Sequence, residues 1–349
     1  MNEKKTLVDK LYNEKSLSLD EYEFLIKYQD EETSLYLKDL ANKRREEVYQ
    51  NKIYIRGLIE ISNFCKNDCF YCGIRKSNKT VQRYRLTKEE IIHCCDKGYD
   101  LGFRTFVLQG GEDPYLNDSF MCELISSIKE KYSDCAVTLS LGERKRESYE
   151  LMYKNGADRY LLRHETYDED HYMKLHPIDM SFSNRIRCLY DLKDIGYQVG
   201  CGFMVGSPYQ TYKTIAKDLK FIEEFSPDMC GIGPYVVTKN TPFEKFFSGS
   251  VDTTCYLLSI IRLIKPNILL PSTTAMGTLD IFGREKGIMS GANVIMPNLS
   301  PDDIKCKYKI YDNKASFGDE SAENIVSLKE RIKEIGYEIV TEKGDIKNA

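Results

Sequence analysis

Apolar positions recur at helical spacing through the first fifty residues of the chain. Ser18 and Glu21 can form a capping box in front of this pattern. The apolar positions are Tyr22, Leu25, Tyr28, Leu37, Leu40, Ala41 and Val48. We therefore predict an N-terminal helical extension over residues 1–50 that carries no chemistry of its own.

From residue 51 to about residue 305 the pattern alternates between short β-rich segments and helical segments. Eight strands are predicted, over residues 54–62, 105–109, 136–140, 159–163, 198–205, 230–236, 268–273 and 293–296. Helices are predicted between them, over residues 118–131, 145–155, 182–195, 211–225 and 252–264, with a further helix capped by Thr87 and Glu90. Glycines interrupt the segment before the eighth strand, at Gly283, Gly287 and Gly291.

This alternation favours an α/β fold in which a parallel sheet carries helices on its outside. Eight strands indicate a complete (β/α)8 TIM-type barrel over residues 51–305, and an open doubly wound sheet is the alternative. A helical pattern over 322–335, followed by polar residues, predicts a short C-terminal helical tail over 306–349.

A barrel of this kind carries its chemistry at the carboxyl ends of its strands. The polar residues of this chain collect there, after the first, second, third, fourth, seventh and eighth predicted strands. The segments are 65–72, 109–114, 138–140, 163–166, 273–277 and 296–298. The sequence therefore predicts one site on the carboxyl face of the barrel.

Composition and charge exclude several classes of partner. The formal net charge of −4 comes from mixed signs without a basic stripe, so nucleic-acid binding is not expected. The N-terminal residues lack the apolar segment of a secretory signal, and the apolar run 256–264 is short and interrupted by Arg262. We expect a cytoplasmic protein with no membrane partner.

Three of the twelve cysteines stand in one short loop, Cys65, Cys69 and Cys72, with the spacing C-x3-C-x2-C. Thiolates at such spacing are ligands of iron–sulfur clusters. Three thiolates leave one iron of a 4Fe–4S cube open, and that iron can bind the amine and carboxylate of S-adenosylmethionine (SAM). A structural zinc site is the alternative, but it needs a fourth Cys or His ligand. We interpret most of the other cysteines as small core residues.

The cysteine loop resembles the signature of radical SAM enzymes, including the aromatic Tyr71 before the last cysteine. Residues 110–113, Gly-Gly-Glu-Asp, resemble the element whose backbone binds the SAM amine in that superfamily. Longer segments resemble the HydE-type maturases of FeFe hydrogenase, within the branch that contains biotin synthase and methylornithine synthase. These segments are 55–63, 83–85, 108–115, 138–143, 156–166, 273–278 and 291–298.

The resemblance implies a full barrel, one 4Fe–4S cluster on Cys65, Cys69 and Cys72, and SAM lying across its carboxyl face. The residues that it assigns to SAM are Tyr71, Gln109, Gly111, Glu112, Ser140, Glu165, Arg185 and Met296. It assigns a polar substrate cavity deeper in the barrel to Arg56, Thr138, Arg163, Thr273 and Thr274. Without this resemblance, Glu165 and Arg185 would be interpreted as an ion pair on the surface.

The histidines are not candidates for ligands. We expect His164 to be a hydrogen-bonded structural residue, and we expect His171 and His176 to be solvated because they lie in a charged stretch. The C-terminal region offers only Cys306, whereas some HydE proteins have more cysteines there for a 2Fe–2S cluster. We therefore expect no second cluster.

The function implied by the resemblance is reductive cleavage of SAM to a 5′-deoxyadenosyl radical during assembly of the di-iron part of the hydrogenase H-cluster. The implied substrate is a small iron species that carries cysteine, CO and cyanide. Other maturases and an electron donor are the implied protein partners. A lysine mutase of the methylornithine-synthase type and a non-catalytic iron–sulfur scaffold are the alternatives.

Overall fold

The computed structural model describes residues 3–314 and 321–347. Three helices precede the first strand: α1 (Glu3–Glu14), α2 (Leu19–Lys27) and α3 (Glu31–Tyr49). The predicted capping box of α2 is present, because the Ser18 hydroxyl accepts from the Glu21 amide and the Glu21 carboxylate accepts from the Ser18 amide at 2.8 Å. Helix α3 ends at Tyr49, directly before the first strand.

Strands and helices then alternate along the chain. The strands are β1 (Lys52–Ile55), β2 (Gly57–Ser62), β3 (Thr105–Gly110), β4 (Ala136–Ser140), β5 (Arg159–Leu161), β6 (Gln198–Cys201), β7 (Met204–Val205), β8 (Met229–Cys230), β9 (Gly233–Pro234), β10 (Val294–Ile295) and β11 (Glu338–Val340). The helices are α4 (Lys88–Asp100), α5 (Asp118–Lys131), α6 (Arg146–Lys154), α7 (Glu169–Leu175), α8 (Phe182–Ile195), α9 (Tyr212–Phe225), α10 (Val251–Ile264), α11 (Thr274–Leu279), α12 (Gly283–Ile288), α13 (Asp302–Lys305) and α14 (Ile325–Glu334).

Within the described ranges all strand pairs are parallel, and they form one sheet of six strands and two smaller sheets. The large sheet has the order β2-β3-β4-β5-β6-β8, and β1 lies between β10 and β11 in a second sheet. Strand β7 pairs with β9. Parallel strands connected by outer helices are the TIM-barrel-like α/β arrangement that the alternating pattern predicts.

Four of the predicted strands do not form as single strands. The first divides at Arg56, because β1 pairs with β10 and β11 whereas β2 pairs with β3. The fifth divides at Gly202, where φ is +148° and a Cβ atom would lie 2.1 Å from the Gly231 carbonyl oxygen. The sixth, 230–236, divides into β8 and β9, which belong to different sheets. The seventh forms only single bridges, through Leu269 and Pro271.

The C-terminal residues take part in the sheet, which the predicted polar tail does not anticipate. Strand β11 pairs with β1 in the register Ile53 to Ile339. Residues 343–347 then lie against the amino ends of the strands, where the Lys343 carbonyl oxygen accepts from Thr105 Oγ1 at 2.8 Å. Residues 1–2, 315–320 and 348–349, which belong to the predicted extension and tail, lie outside the described residues.

The core lies between the sheet and the surrounding helices. Phe106, Leu108, Val137 and Leu139 on β3 and β4 are fully buried. Burying one such side chain contributes about 1.5–3 kcal/mol. The N-terminal helices add a second layer outside the barrel helices, with α2 against α9 and α3 against α10. Across the residues that the structure describes, no helix combines the length and the apolar character needed to cross a membrane.

Candidate active site on the carboxyl face of the sheet

The carboxyl ends of the strands surround a cavity of about 330 Å³. Because parallel strands all end at the same face, residues far apart in sequence meet there. The predicted site residues that line this cavity are Cys65, Cys69, Tyr71, Cys72, Gln109, Gly111, Glu112, Arg163, Glu165, Arg185, Thr273, Thr274 and Met296. The predicted site therefore comes together at one place.

Three predicted site residues lie outside the lining of this cavity. Ser140 ends β4 beside Gln109, its register partner on β3. Thr138 is buried two residues earlier, and its hydroxyl has no hydrogen-bond partner in residues 3–314 and 321–347. Arg56 lies toward the amino end of the sheet, where Nη1 contacts Met229 Sδ at 2.8 Å and Nη2 lies 3.5 Å from the Gly344 carbonyl oxygen.

The loop that carries the three cysteines is held by backbone hydrogen bonds and by one arginine. The Lys66 amide donates to the Glu112 carbonyl oxygen at 2.9 Å, and the Gly73 amide donates to that of Ile310 at 2.8 Å. The Arg83 guanidinium donates to the carbonyl oxygens of Ile74 at 2.7 Å and Arg75 at 2.6 Å. These bonds fix a loop that has no regular secondary structure.

Gly111 is required by close contact between two loops. A Cβ atom at this position would lie 2.2 Å from the Phe64 carbonyl oxygen and 2.8 Å from Cys65 Cβ. The Gly111 amide donates to the Ser62 carbonyl oxygen at 3.2 Å. Any side chain here would push the loop after β3 away from the first cysteine.

An ion pair with Arg85 fixes Asp113, two residues after Gly111. Asp113 Oδ1 accepts from Arg85 Nη2 at 2.9 Å, and Oδ2 accepts from Arg85 Nε and from the Ser62 hydroxyl, each at 2.7 Å. Two parallel bonds to one guanidinium hold both groups in a fixed orientation. The pair thereby joins the carboxyl ends of β2 and β3.

The three cysteines are partly buried, and their surroundings disfavour the charged thiolates. Burial, followed by the neighbouring Cys65, raises the pKa of the Cys72 thiol to about 12, and burial raises the pKa of Cys65 and Cys69 as well. Three thiolates therefore require a positively charged centre between them. Among residues 3–314 and 321–347, no three His, Cys, Asp or Glu side chains meet closely enough to hold a metal ion. This spacing is compatible with a 4Fe–4S cube, because each thiolate of a cube binds a different iron and the three need not converge on one ion.

Arg185 is held at the cavity by Glu143, a residue that sequence analysis missed. Arg185 Nε lies 2.7 Å from Glu143 Oε1, and both side chains are largely buried. The Glu143 amide donates to Glu112 Oε1 at 2.9 Å. The pairing of Arg185 with Glu165 considered from sequence is therefore wrong. Glu143 stands inside the family-like segment 138–143, but no local pattern indicates its partner.

Glu165 and Arg163 contribute polar atoms that the protein itself does not satisfy. Glu165 has a left-handed backbone with φ +66°, which is uncommon outside glycine, and its Oε2 lies 3.4 Å from Arg163 Nη2 without a hydrogen bond. Arg163 Nε and Thr273 Oγ1 also have no partner among the described residues. Buried polar atoms without partners are costly, so they indicate the position of a polar ligand.

The histidines differ from one another and from the sequence prediction. His164 is buried and structural as predicted: the Gly202 amide donates to Nδ1 at 3.2 Å, and Nε2 lies 3.2 Å from Asp218 Oδ1. The prediction that His171 and His176 are solvated is wrong, because each is only 2% exposed. His176 Nδ1 donates to the Tyr172 carbonyl oxygen at 2.9 Å, and Nε2 therefore accepts from the Tyr71 hydroxyl at 3.1 Å.

The segment after α13 covers part of the cavity, which sequence analysis did not predict. Tyr308, Ile310, Tyr311 and Lys314 line it. The Tyr308 hydroxyl lies 3.4 Å from Gln109 Nε2, and Lys314 forms a buried ion pair with Glu60. Neither the spacing nor the composition of this segment distinguishes it from a surface tail.

Comparison with known proteins gives consistent matches. The model of the radical SAM superfamily matches residues 59–222. The "[FeFe] hydrogenase maturase subunit HydE" of Thermotoga maritima is 43% identical over 275 residues, which are 79% of this chain and 78% of that protein. The 3-methylornithine synthase of Methanosarcina acetivorans is 29% identical over 326 residues, which are 92% of this chain and 90% of that protein. The solved structure of methylornithine synthase (PylB) has a TM-score of 0.84 at 27% identity and covers 96% of this chain and 97% of that chain.

The fold, the cysteine loop and the superfamily match together define the class as radical SAM enzymes. Because a HydE protein is 43% identical over more than three quarters of both chains, this chain belongs to the HydE family of that superfamily. The family implies a 4Fe–4S cluster and SAM as cofactors. Three thiols and several unbonded polar side chains around one cavity fit that pair of groups.

Proposed function

We propose that this chain is a maturase of FeFe hydrogenase that cleaves SAM reductively at a 4Fe–4S cluster held by Cys65, Cys69 and Cys72. The single observation that supports this most is the placement of the three thiols on the wall of one cavity, beside polar atoms without partners. When bound, the cluster and SAM supply a 5′-deoxyadenosyl radical. The residues of the chain therefore have to bind and orient these groups and the substrate, and to exclude water from them.

The residues of the cavity divide into two groups by position. Near the cysteine loop, Tyr71, Gln109, the backbone around Gly111 and Glu112, and Arg185 would hold SAM, with Ser140, Glu165 and Met296 beside them. Arg163, Thr273 and Thr274 would hold an anionic substrate farther in, with Thr138 and Arg56 below. The nitrogen atoms Nε and Nη2 of Arg163 and the hydroxyl of Thr273, which have no hydrogen bond among the described residues, suit a small iron species that carries cysteine, CO and cyanide.

We also infer that the barrel is complete. Single parallel bridges continue the large sheet from Met229 to Leu269 and from Pro271 to Val294, and Leu58 is bridged to Asn298. Strand β10 pairs with β1. A closed ring leaves no exposed sheet edge.

The first experiment is anaerobic reconstitution with iron and sulfide, followed by dithionite and SAM. Accumulation of 5′-deoxyadenosine in the wild type is expected, and Cys69→Ala should abolish both the cluster absorption and this product. Cys255→Ala, a change at a partly buried cysteine on α10, is the matched control and should retain both. A full cluster without any 5′-deoxyadenosine would instead support the scaffold alternative.

The lysine mutase remains a second candidate because the chain matches methylornithine synthases over nearly its full length. Incubation of the reconstituted protein with lysine and SAM distinguishes the two functions. The maturase proposal predicts no methylornithine and predicts hydrogenase activation in a mixture with the other maturases and an electron donor. Formation of methylornithine contradicts it.

A single cluster is part of the proposal. Cys306 is exposed, and the sequence has no further cysteine beyond it. Anaerobically reconstituted protein should therefore bind about four irons per chain, and Cys306→Ala should not lower that number. A bound zinc ion at Cys65, Cys69 and Cys72 would contradict the assignment.

A further inference from the structure

One side chain outside the cavity holds an aromatic side chain that forms part of its wall. Tyr71 stands between Cys69 and Cys72 and lines the cavity with them. Its hydroxyl meets Nε2 of His176 at 3.1 Å, and the two rings lie edge to face with their centroids 5.4 Å apart. His176 directly follows α7, is buried and lies outside the lining of the cavity.

The hydrogen bonds of His176 define the position of its proton. Nδ1 lies 2.9 Å from the Tyr172 carbonyl oxygen, which can only accept, so Nδ1 carries the proton. Burial lowers the pKa of His176 to about 3, so the ring is neutral and Nε2 keeps its lone pair. The Tyr71 hydroxyl is therefore the donor, and His176 is the acceptor.

The His176 ring is itself held in place by its neighbours. The Tyr172 ring stacks on it, with centroids 4.0 Å apart and an interplanar angle of 27°. The Phe70 amide donates to the Leu175 carbonyl oxygen at 3.0 Å, so the backbone joins the same two segments beside this contact. A hydrogen bond to a fixed acceptor restricts the direction of the tyrosine side chain, and the edge-to-face contact restricts the plane of its ring.

Tyr71 depends on such a restraint because of its position in the molecule. It is only partly buried, and it stands in a loop without regular secondary structure. A ring on a cavity wall has no packing partner on the side of the cavity, so its orientation depends on contacts on the side of the protein. The hydrogen bond to His176 is the polar part of those contacts.

We propose that His176 is a positioning residue for SAM binding, which holds the Tyr71 ring in the orientation that contacts SAM. This inference rests on the proposed function, since it requires SAM in the cavity. The hydrogen bond exists before SAM binds, so the rotational freedom of Tyr71 is not lost at the moment of binding. Without the acceptor, Tyr71 would have to be ordered by SAM itself, and the affinity for SAM would fall.

The test measures the dissociation constant of SAM by calorimetric titration of the anaerobically reconstituted, oxidised enzyme, which binds SAM without cleaving it. His176→Phe keeps a ring of similar size but removes the acceptor, and it should weaken SAM binding by about tenfold. His176→Gln places an amide oxygen near the position of Nε2, so it should recover most of the lost affinity.

The matched control is His171→Phe, a change at another buried histidine on the same helix. The His171 ring bonds to the Thr166 hydroxyl at 3.0 Å and to the Pro208 carbonyl oxygen at 3.0 Å, and neither partner belongs to the cysteine loop. This variant should lower the melting temperature but bind SAM with the affinity of the wild type.

A double-variant cycle distinguishes positioning from a general structural role. Tyr71→Phe removes the hydroxyl and should weaken SAM binding about as much as His176→Phe does. In the Tyr71→Phe background, His176→Phe should cause at most about a twofold further loss, because the bond between the two residues is already absent. Equal losses in both backgrounds, or no loss in either single variant, would overturn the proposal.

Two further outcomes are also decisive. If His176→Phe does not fold with a full cluster, Tyr71→Phe and His176→Gln decide the question, because the first must bind SAM more weakly than the second. If the wild type cleaves SAM and the His176 variants bind SAM as it does, the positioning role is wrong and the proposed function stands. A wild type that holds a full cluster but binds no SAM would overturn both.

Discussion

The two ends of β5 carry two arginines with opposite environments. Arg159, at the amino end, donates to Thr105 Oγ1 at 3.0 Å, to Gln198 Oε1 at 3.1 Å and to the Lys343 carbonyl oxygen at 3.1 Å. It also pairs with Asp345 at 2.5 Å. Arg163, beyond the carboxyl end, has two buried nitrogen atoms that make no hydrogen bond within the described part of the chain, and its Nη2 lies 3.4 Å from Glu165 Oε2.

From this difference we infer that the amino end of the sheet contributes to stability and that the carboxyl end binds a ligand. At the amino end, the C-terminal residues supply the partners that a buried guanidinium needs. At the carboxyl end, the protein leaves donors unpaired, at a cost in stability that a bound anion would offset. Active sites commonly hold such strained or unsatisfied groups.

The largest expected effect is on activity, from the substitution Arg163→Met. Removing the unpaired guanidinium should lower hydrogenase activation in a reconstituted maturation mixture by about 100-fold, which corresponds to about 2.7 kcal/mol. The melting temperature should change little because the protein makes no hydrogen bond through the lost Nε and Nη2 atoms. Full activity in this variant would show that Arg163 does not bind the substrate.

The reverse pattern is expected for Arg159→Met. Losing its bonds leaves buried acceptors unsatisfied and should lower the free energy of unfolding by about 2–4 kcal/mol. Anaerobic urea unfolding measures this loss, and the formation of 5′-deoxyadenosine per folded molecule should remain near that of the wild type. A large loss of catalysis without a loss of stability would remove the distinction between the two ends.

His164 gives a prediction for pH, because a structural residue also lies at the catalytic end. Burial, against the opposing effect of Glu165, lowers the pKa of His164 to about 3. The unfolded chain binds a proton near pH 6.5, so the stabilisation by neutral His164 is present above that pH and is lost as pH falls toward 3, by up to about 1.4 kcal/mol per unit. His164→Gln should show a shallower decline over this range in urea unfolding. An unchanged slope would contradict the assignment.

The smallest effect is expected from Asp345→Asn. Burial raises the pKa of Asp345, but Arg159 outweighs it and lowers the pKa overall, so the carboxylate stabilises the fold above about pH 4 and loses this effect at lower pH. Its side chain is half exposed, which limits the loss in unfolding free energy to about 1 kcal/mol. The loss should vanish in the Arg159→Met background, and a persistent loss would mean that Asp345 acts through another contact.

The sequence by itself determined the helix caps, several helix ends and the cysteine motif. The capping residues Ser18 and Thr87 begin helices where predicted, and the predicted helices 118–131 and 182–195 match α5 and α8 at both ends. The C-x3-C-x2-C spacing needed no partner elsewhere in the chain to indicate a cluster. These features depend on contacts within a few residues, so they are visible in the order of the amino acids.

Only the tertiary structure decided which buried polar residues have hydrogen-bond partners within the chain and which do not. Arg159 meets Asp345 across 186 positions of the chain, and Tyr71 meets His176 across 105. Nothing in the local pattern distinguishes Arg159 from Arg163, or a buried His176 from a solvated one. The physical reason is that burial and hydrogen bonding depend on which distant segments the strands bring together, and a sequence pattern records only neighbours.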